Sequence, residues 1–125
     1  MKTYDVLFSE KPGYLHAVVT GSNSKENVMS YMADIIQESA RKGLRQVLVE
    51  ERLTGPRIDM MSVFQVASEG GTRAQGLFSA IAYVDMNAEG DLMQFAETVA
   101  TNRFLPLKVF STVRDAEDWL KDKLA

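Results

Sequence analysis

Two adjacent carboxylates, Glu50 and Glu51, followed by Arg52, are the residues of this chain whose types come nearest to acid–base chemistry. They end a β-branched run that starts at Val47, and in open α/β sheets function collects just beyond the carboxyl ends of strands. An acid–base pair must aim both groups at one reacting centre. Neighbouring strand residues point to opposite faces, so Glu50 and Glu51 do not converge. One of them is instead free to pair with Arg52, Arg57 or Lys108.

Other chemistry-bearing residues are few. His16 is the only histidine, and it points opposite to its neighbours Leu15 and Ala17. No nucleophile stands at a recognised spacing from it, so a sheet-face role is expected. The chain has no cysteine, which removes thiol nucleophiles, disulfides and Cys-ligated zinc. A single histidine without cysteine argues against a transition-metal site. The run Asp85–Gly90 opens like a calcium loop, but Ala96 stands at the twelfth position, where that loop needs a carboxylate. Gly70-Gly71 and Gly76 match no phosphate-binding pattern and read as a flexible loop. No catalytic residue, metal or cofactor is therefore expected.

A chain of 125 residues fits one domain, 1–125, able to bury about two-thirds of its unfolded surface. Hydrophobic residues at 46% and charged residues at 25% are ordinary for a globule. A net charge of −3 leaves no basic footprint for nucleic acid. No apolar run approaches the length of a membrane span, and the start of the chain lacks a signal-peptide core. A cytoplasmic location is expected.

The elements that would position these residues follow from periodicity and punctuation. Tyr4, Val6 and Phe8 mark a strand, Ser9–Gly13 a turn, and Tyr14–Thr20 a second strand that Gly21 breaks. Val28, Met32, Ile35, Ile36 and Ala40 give a helix, capped by Ser22 or Ser24 and stopped by Gly43. Gln46–Glu51 is the third strand, and a second helix runs from about Asp59 to Gly70-Gly71 or beyond. Phe78–Val84 is the fourth strand. Leu92, Phe95, Val99 and Ala100 mark a third helix from Asp91. Leu107–Phe110 is the fifth strand. Ser111 or Thr112 caps a last helix that buries Val113, Ala116, Trp119 and Leu120. The order ββαβαβαβα predicts an α/β fold: a five-stranded, mostly parallel sheet with an antiparallel first strand.

Three features resemble the SpoIIAA-like proteins of the STAS fold, small bacterial domains related to anti-sigma factor antagonists. They are the element order, the Leu53-Thr54 turn leading to Asp59, and the closing run Phe95–Leu120 that ends in Trp-Leu. The resemblance implies helices mainly on one sheet face. It also implies a regulatory protein partner docking at the turn Thr54–Ser62. In that family a kinase phosphorylates a serine at the start of the second helix. The matching stretch here is Asp59-Met60-Met61-Ser62, with methionines at the serine positions. Ser62 remains as the candidate phosphosite, and Asp59 is expected to cap the helix.

The expected function is a non-catalytic regulatory or interaction module, with Thr54, Gly55, Asp59, Met60, Met61 and Ser62 in its partner surface. The alternative is a domain that binds a small apolar ligand or lipid beside the second helix and the Gly70-Gly71 loop. Apolar residues of both parities in the strands predict a partly bare sheet face, and hence a homodimer.

Overall fold

The computed structural model describes residues 3–55, 60–74, 76–85, 91–102 and 106–124, with backbone alone at 60, 63, 71, 91–93, 96 and 124. Residues 56–59, which include Asp59, and residues 86–90 and 103–105 lie outside that set. So do the Met60, Asp91 and Leu92 side chains.

The elements run β1 (Tyr4–Lys11), β2 (Tyr14–Ser22), α1 (Lys25–Lys42), β3 (Gln46–Thr54), α2 (Met60–Ala74), β4 (Ala80–Asp85), α3 (Asp91–Asn102), β5 (Leu107–Phe110) and α4 (Val113–Leu124). The strands lie in one sheet in the order β1-β2-β3-β4-β5. β1 is antiparallel to β2, and the rest are parallel. Each βαβ crossover steps one strand in the same direction, so the sheet has no point at which strand order reverses. The crevice that such a reversal opens in other α/β sheets is missing from this topology.

Local chemistry explains the boundaries. The first turn is only Pro12-Gly13, with Gly13 at φ 87°, and β1 continues through Ser9, Glu10 and Lys11. That corrects the longer turn expected from Ser9. Gly21 does not end β2 either: the strand passes through it to Ser22. A Cβ at Gly21 would stand 2.3 Å from the Thr3 carbonyl oxygen, and its φ is 126°. Glycine is what lets β1 approach so closely there. Ser24 caps α1, its Oγ accepting from the Asn27 N–H at 3.1 Å. Gly43, left-handed at φ 68°, closes that helix. Thr112 caps α4 by accepting from the Asp115 N–H at 3.2 Å.

Gly70 and Gly71 lie inside α2, not in a loop. α2 extends to Ala74, and a Cβ at Gly70 would come within 2.5 Å of Met32 Cε on α1. The glycine is a contact point between two helices, which corrects the flexible loop expected at Gly70-Gly71.

The core has two layers. On one face α1, α2 and α3 cover Leu15, Ala17, Val19, Val47 and Val49 with Val28, Tyr31, Ile35, Val66 and Ala100. On the other, α4 sets Ala116 and Leu120 against Leu48, Ala80, Ala82 and Val84. Phe110 and Trp119 flank that layer with ring centroids 5.6 Å apart. The second face is therefore covered over β3 and β4, which narrows the bare face expected from strand parity. What α4 leaves open is the β1–β2 end, where Leu7 is 69% exposed.

Candidate functional site

The carboxyl ends of β3 and β4 gather the polar groups of the chain, and the sheet sorts them. Glu50, only 3% exposed, faces the α4 side. His16, from the neighbouring strand, places Nε2 3.0 Å from Glu50 Oε1, while the Arg52 guanidinium binds Glu50 Oε2. This is the arginine pairing that strand geometry allowed, and it gives His16 its sheet-face role.

Glu51 points the other way. Its Oε2 accepts from the Tyr31 hydroxyl at 2.5 Å and from the Tyr83 hydroxyl. The two hydroxyls stand 3.2 Å apart. Burial, reinforced by the Glu51 charge, holds the Tyr31 hydroxyl well above its ordinary pKa of 10. Burial also raises Tyr83, helped by Tyr31 and Glu51. Both phenols are therefore neutral donors at physiological pH. Asp85 is the register partner of Glu51 on β4, is itself buried, and adds negative charge near Tyr31. Glu50 and Glu51 stay on opposite faces, as expected. Glu51 and Asp85 come together instead.

Sequence reasoning missed Tyr31, Tyr83 and Asp85. Asp85 was assigned to a loop but is the last residue of β4. A residual signal existed: Tyr83 and Asp85 share strand parity, and Tyr31 lies on the buried stripe of α1 with Val28 and Ile35. Nothing in the sequence states the register that sets them against Glu51. The arrangement ties α1, β3 and β4 together through one carboxylate. Its phenols donate to that carboxylate, which is a structural use of all three groups.

The turn expected to meet a partner is described at its two ends. Thr54 lies within β3, which runs beyond the expected end at Glu51. Its Oγ1 donates to the Gly21 carbonyl at 3.1 Å, and its own carbonyl accepts from Asn23 N–H at 2.7 Å. Gly55 follows with φ 102°, a left-handed conformation that favours glycine. Met60 opens α2. Met61 is 67% exposed, Ser62 is half-buried, and Phe64 is 39% exposed. Met61 and Phe64 are three residues apart on one helix, so they share a face. Phe64 also meets Phe95 of α3, with ring centroids 6.4 Å apart. Beside them Lys25 of α1 donates to the Gln65 side chain. The start of α2 thus shows Met61 and Phe64 on one face, with the half-buried Phe95 of α3 beside Phe64.

Among the described residues no group of His, Cys, Asp and Glu is arranged to hold a metal ion. Among them, no helix is long and apolar enough to cross a membrane.

No family model matches the chain, and no curated protein matches it. Among solved structures it is similar to an uncharacterized protein of the DUF3478 family with a SpoIIAA-like fold from Shewanella loihica PV-4. That likeness has 21% identity and a TM-score of 0.48, and covers 94% of this chain and 93% of the other.

Proposed function

We propose that the chain is a non-catalytic regulatory module that binds a protein partner at the start of α2. The surface comprises Thr54, Gly55, Asp59, Met60, Met61 and Ser62, extended by Phe64 and Phe95. The observation that carries this reading is the exposed apolar strip of Met61 and Phe64 at the start of α2. Methionine is unbranched and polarisable, so it adapts to a partner's contours. Burying one such side chain in an interface is worth about 1.5–3 kcal/mol in removed apolar surface. The non-catalytic reading rests on how the carboxylates are used. Glu50 is bound to His16 and Arg52, and Glu51 to Tyr31 and Tyr83, on opposite faces.

The test is affinity capture from the native cell extract with the wild type and with a Met61→Lys/Phe64→Ser variant, compared quantitatively. A protein retained by the wild type at micromolar bait and lost from the variant supports the proposal. Recovery of no such protein, or equal recovery by both baits, rejects it. The same strip could hold a small apolar ligand instead. Native mass spectrometry of the freshly purified chain separates the two readings, because a bound hydrophobic molecule adds mass without a protein partner.

A further inference from the structure

β1 is an edge strand, and its backbone shows which residues face outward. The Ser22 N–H donates to the Thr3 carbonyl at 2.9 Å, directly across the β1–β2 register. Hydrogen-bonded pairs alternate along an antiparallel ladder. The odd residues of β1 therefore exchange their bonds with β2, and Val6, Phe8 and Glu10 turn their N–H and C=O groups outward. An edge of this kind is a template for another strand. At the far side of the sheet, by contrast, the Val109 N–H of β5 is taken by Glu97 of α3 at 3.0 Å.

A groove runs beside this edge, between Val6 and Phe8 of β1 and the α1 residues Asp34, Gln37, Glu38 and Arg41. Its charge is graded along the strand. At one end the Tyr4 hydroxyl donates to Asp34 at 2.6 Å. At the other, Lys42 Nζ lies 3.6 Å from Glu10, beside Arg41. Glu38, between them, pairs with both cations, with Arg41 at 2.9 Å and with Lys42 at 3.7 Å. The helix is thus acidic at the level of Tyr4, and at the level of Glu10 it carries two cations, Arg41 and Lys42, against the one carboxylate of Glu38.

We propose that two copies of this chain join edge to edge through β1, antiparallel, with Leu7 opposite the partner's Leu7. The sheet then continues across a two-fold axis. Val6 exchanges backbone bonds with the partner's Phe8, and the pair repeats across the axis. The two Leu7 side chains meet at a non-hydrogen-bonded position, where opposing strands come closest. Leu7 is the most exposed large apolar residue among those described, so this register covers the patch that α4 leaves open. The helix charges are compatible with this register. The two-fold sets the Asp34 end of one α1 beside the Lys42 and Arg41 end of the other. Spacing fits as well. α1 packs over β1 and β2, and strands lie about 4.8 Å apart. The two helices would therefore run about 10 Å apart, within helix-packing distance.

Light scattering of the full chain should give twice the 13.9 kDa chain mass. Leu7→Lys sets two ammonium groups against each other at the axis. It should return the mass to that of one chain while the circular dichroism spectrum is kept. The chain has no cysteine, so single-cysteine variants report the register. Leu7→Cys should cross-link on oxidation, because non-hydrogen-bonded pairs place Cα atoms about 4.5 Å apart, within disulfide range. Ser9→Cys, which stands opposite the partner's Asp5, should not. A wild type that keeps the single-chain mass at high concentration overturns the proposal, whether or not an extended peptide takes the edge instead. Cross-linking through Ser9→Cys and not Leu7→Cys overturns it too.

Discussion

The Tyr31 hydroxyl donates to Glu51 Oε2 across 2.5 Å, and this bond joins the buried stripe of α1 to the carboxyl end of β3. Tyr83 of β4 donates to the same oxygen. Three elements that are distant in sequence therefore meet on one carboxylate.

Tyr31→Phe removes one donor from that carboxylate and leaves Tyr83 in place. Losing a hydrogen bond to a charged, part-buried group is expected to cost about 1.5–3 kcal/mol. Glu51→Ala strands two phenols at once and should cost more than Tyr31→Phe. Urea unfolding measures both. Equal stability of Tyr31→Phe and wild type would show that the bond contributes nothing net.

All four tyrosines of the chain have raised pKa values. The hydrogen bond to Asp34, aided by burial, pushes Tyr4 up to about 12. Burial, aided by the bond to Glu117, pushes Tyr14 up to about 12. Tyr31 and Tyr83 lie well above 10. A raised folded-state pKa means that the folded state holds the proton more tightly. The resulting stability is fully present below the unfolded value of about 10 and is lost as pH rises toward about 12 and beyond. Phenolate absorbance should therefore stay flat through pH 10 in the folded protein, then rise together with unfolding. In urea the same four groups should titrate near 10. Ionisation of several tyrosines near pH 10 with the fold intact would contradict this.

Gly21 and Gly70 make a matched test of close packing. Gly21→Ala meets backbone atoms, with Tyr4 Cα at 2.5 Å, and forces a side chain onto a φ of 126°. Neither can move without parting β1 from β2, so a loss of roughly 2 kcal/mol or more is expected. Gly70→Ala meets only the terminal methyl of Met32, which can swing aside. Alanine also gains about 1 kcal/mol over glycine in a helix. Gly70→Ala should be close to neutral or stabilising. The two midpoints in thermal unfolding are expected to move in clearly different amounts, and a large loss at Gly70 would show that Met32 is locked.

Leu120 is fully buried between α4 and the sheet. Leu120→Ala should cost about 2–5 kcal/mol by opening a cavity over Leu48, Ala82 and Val84. Chemical denaturation followed by Trp119 fluorescence reads this directly, since Trp119 is the only tryptophan and packs in the same layer. A loss below 1 kcal/mol would mean that α4 is a loosely held cover.

Much of the fold was legible because its signals are local. The stop at Gly43, a cap at Ser22 or Ser24 and another at Ser111 or Thr112, and the five strands follow from residues within a few positions of one another, and the structure chose Ser24 and Thr112. The misreadings share a cause. Gly21 and the Gly70-Gly71 pair resemble breakers, yet Gly21 and Gly70 serve close contacts with Thr3 and Met32, far away in the chain. A short-range rule cannot distinguish a glycine that ends an element from one that lets two elements touch. At the proposed partner surface, the apolar character of Met61 and Phe64 was legible, whereas the exposure of each and the contact of Phe64 with Phe95 were not.

By itself the sequence determined the element order, the antiparallel first strand, and the divergence of Glu50 from Glu51, because strand alternation is a property of the backbone at adjacent residues. Only the tertiary structure decided what each carboxylate would meet. The β3–β4 register brought Asp85 beside Glu51, the packing of α1 brought Tyr31, and the β2–β3 register brought His16 to Glu50. It also decided that α4 covers one end of the second face and leaves Leu7 at the other. These are long-range pairings, set by how buried faces fit together once the chain has closed, and no window of neighbouring residues encodes them.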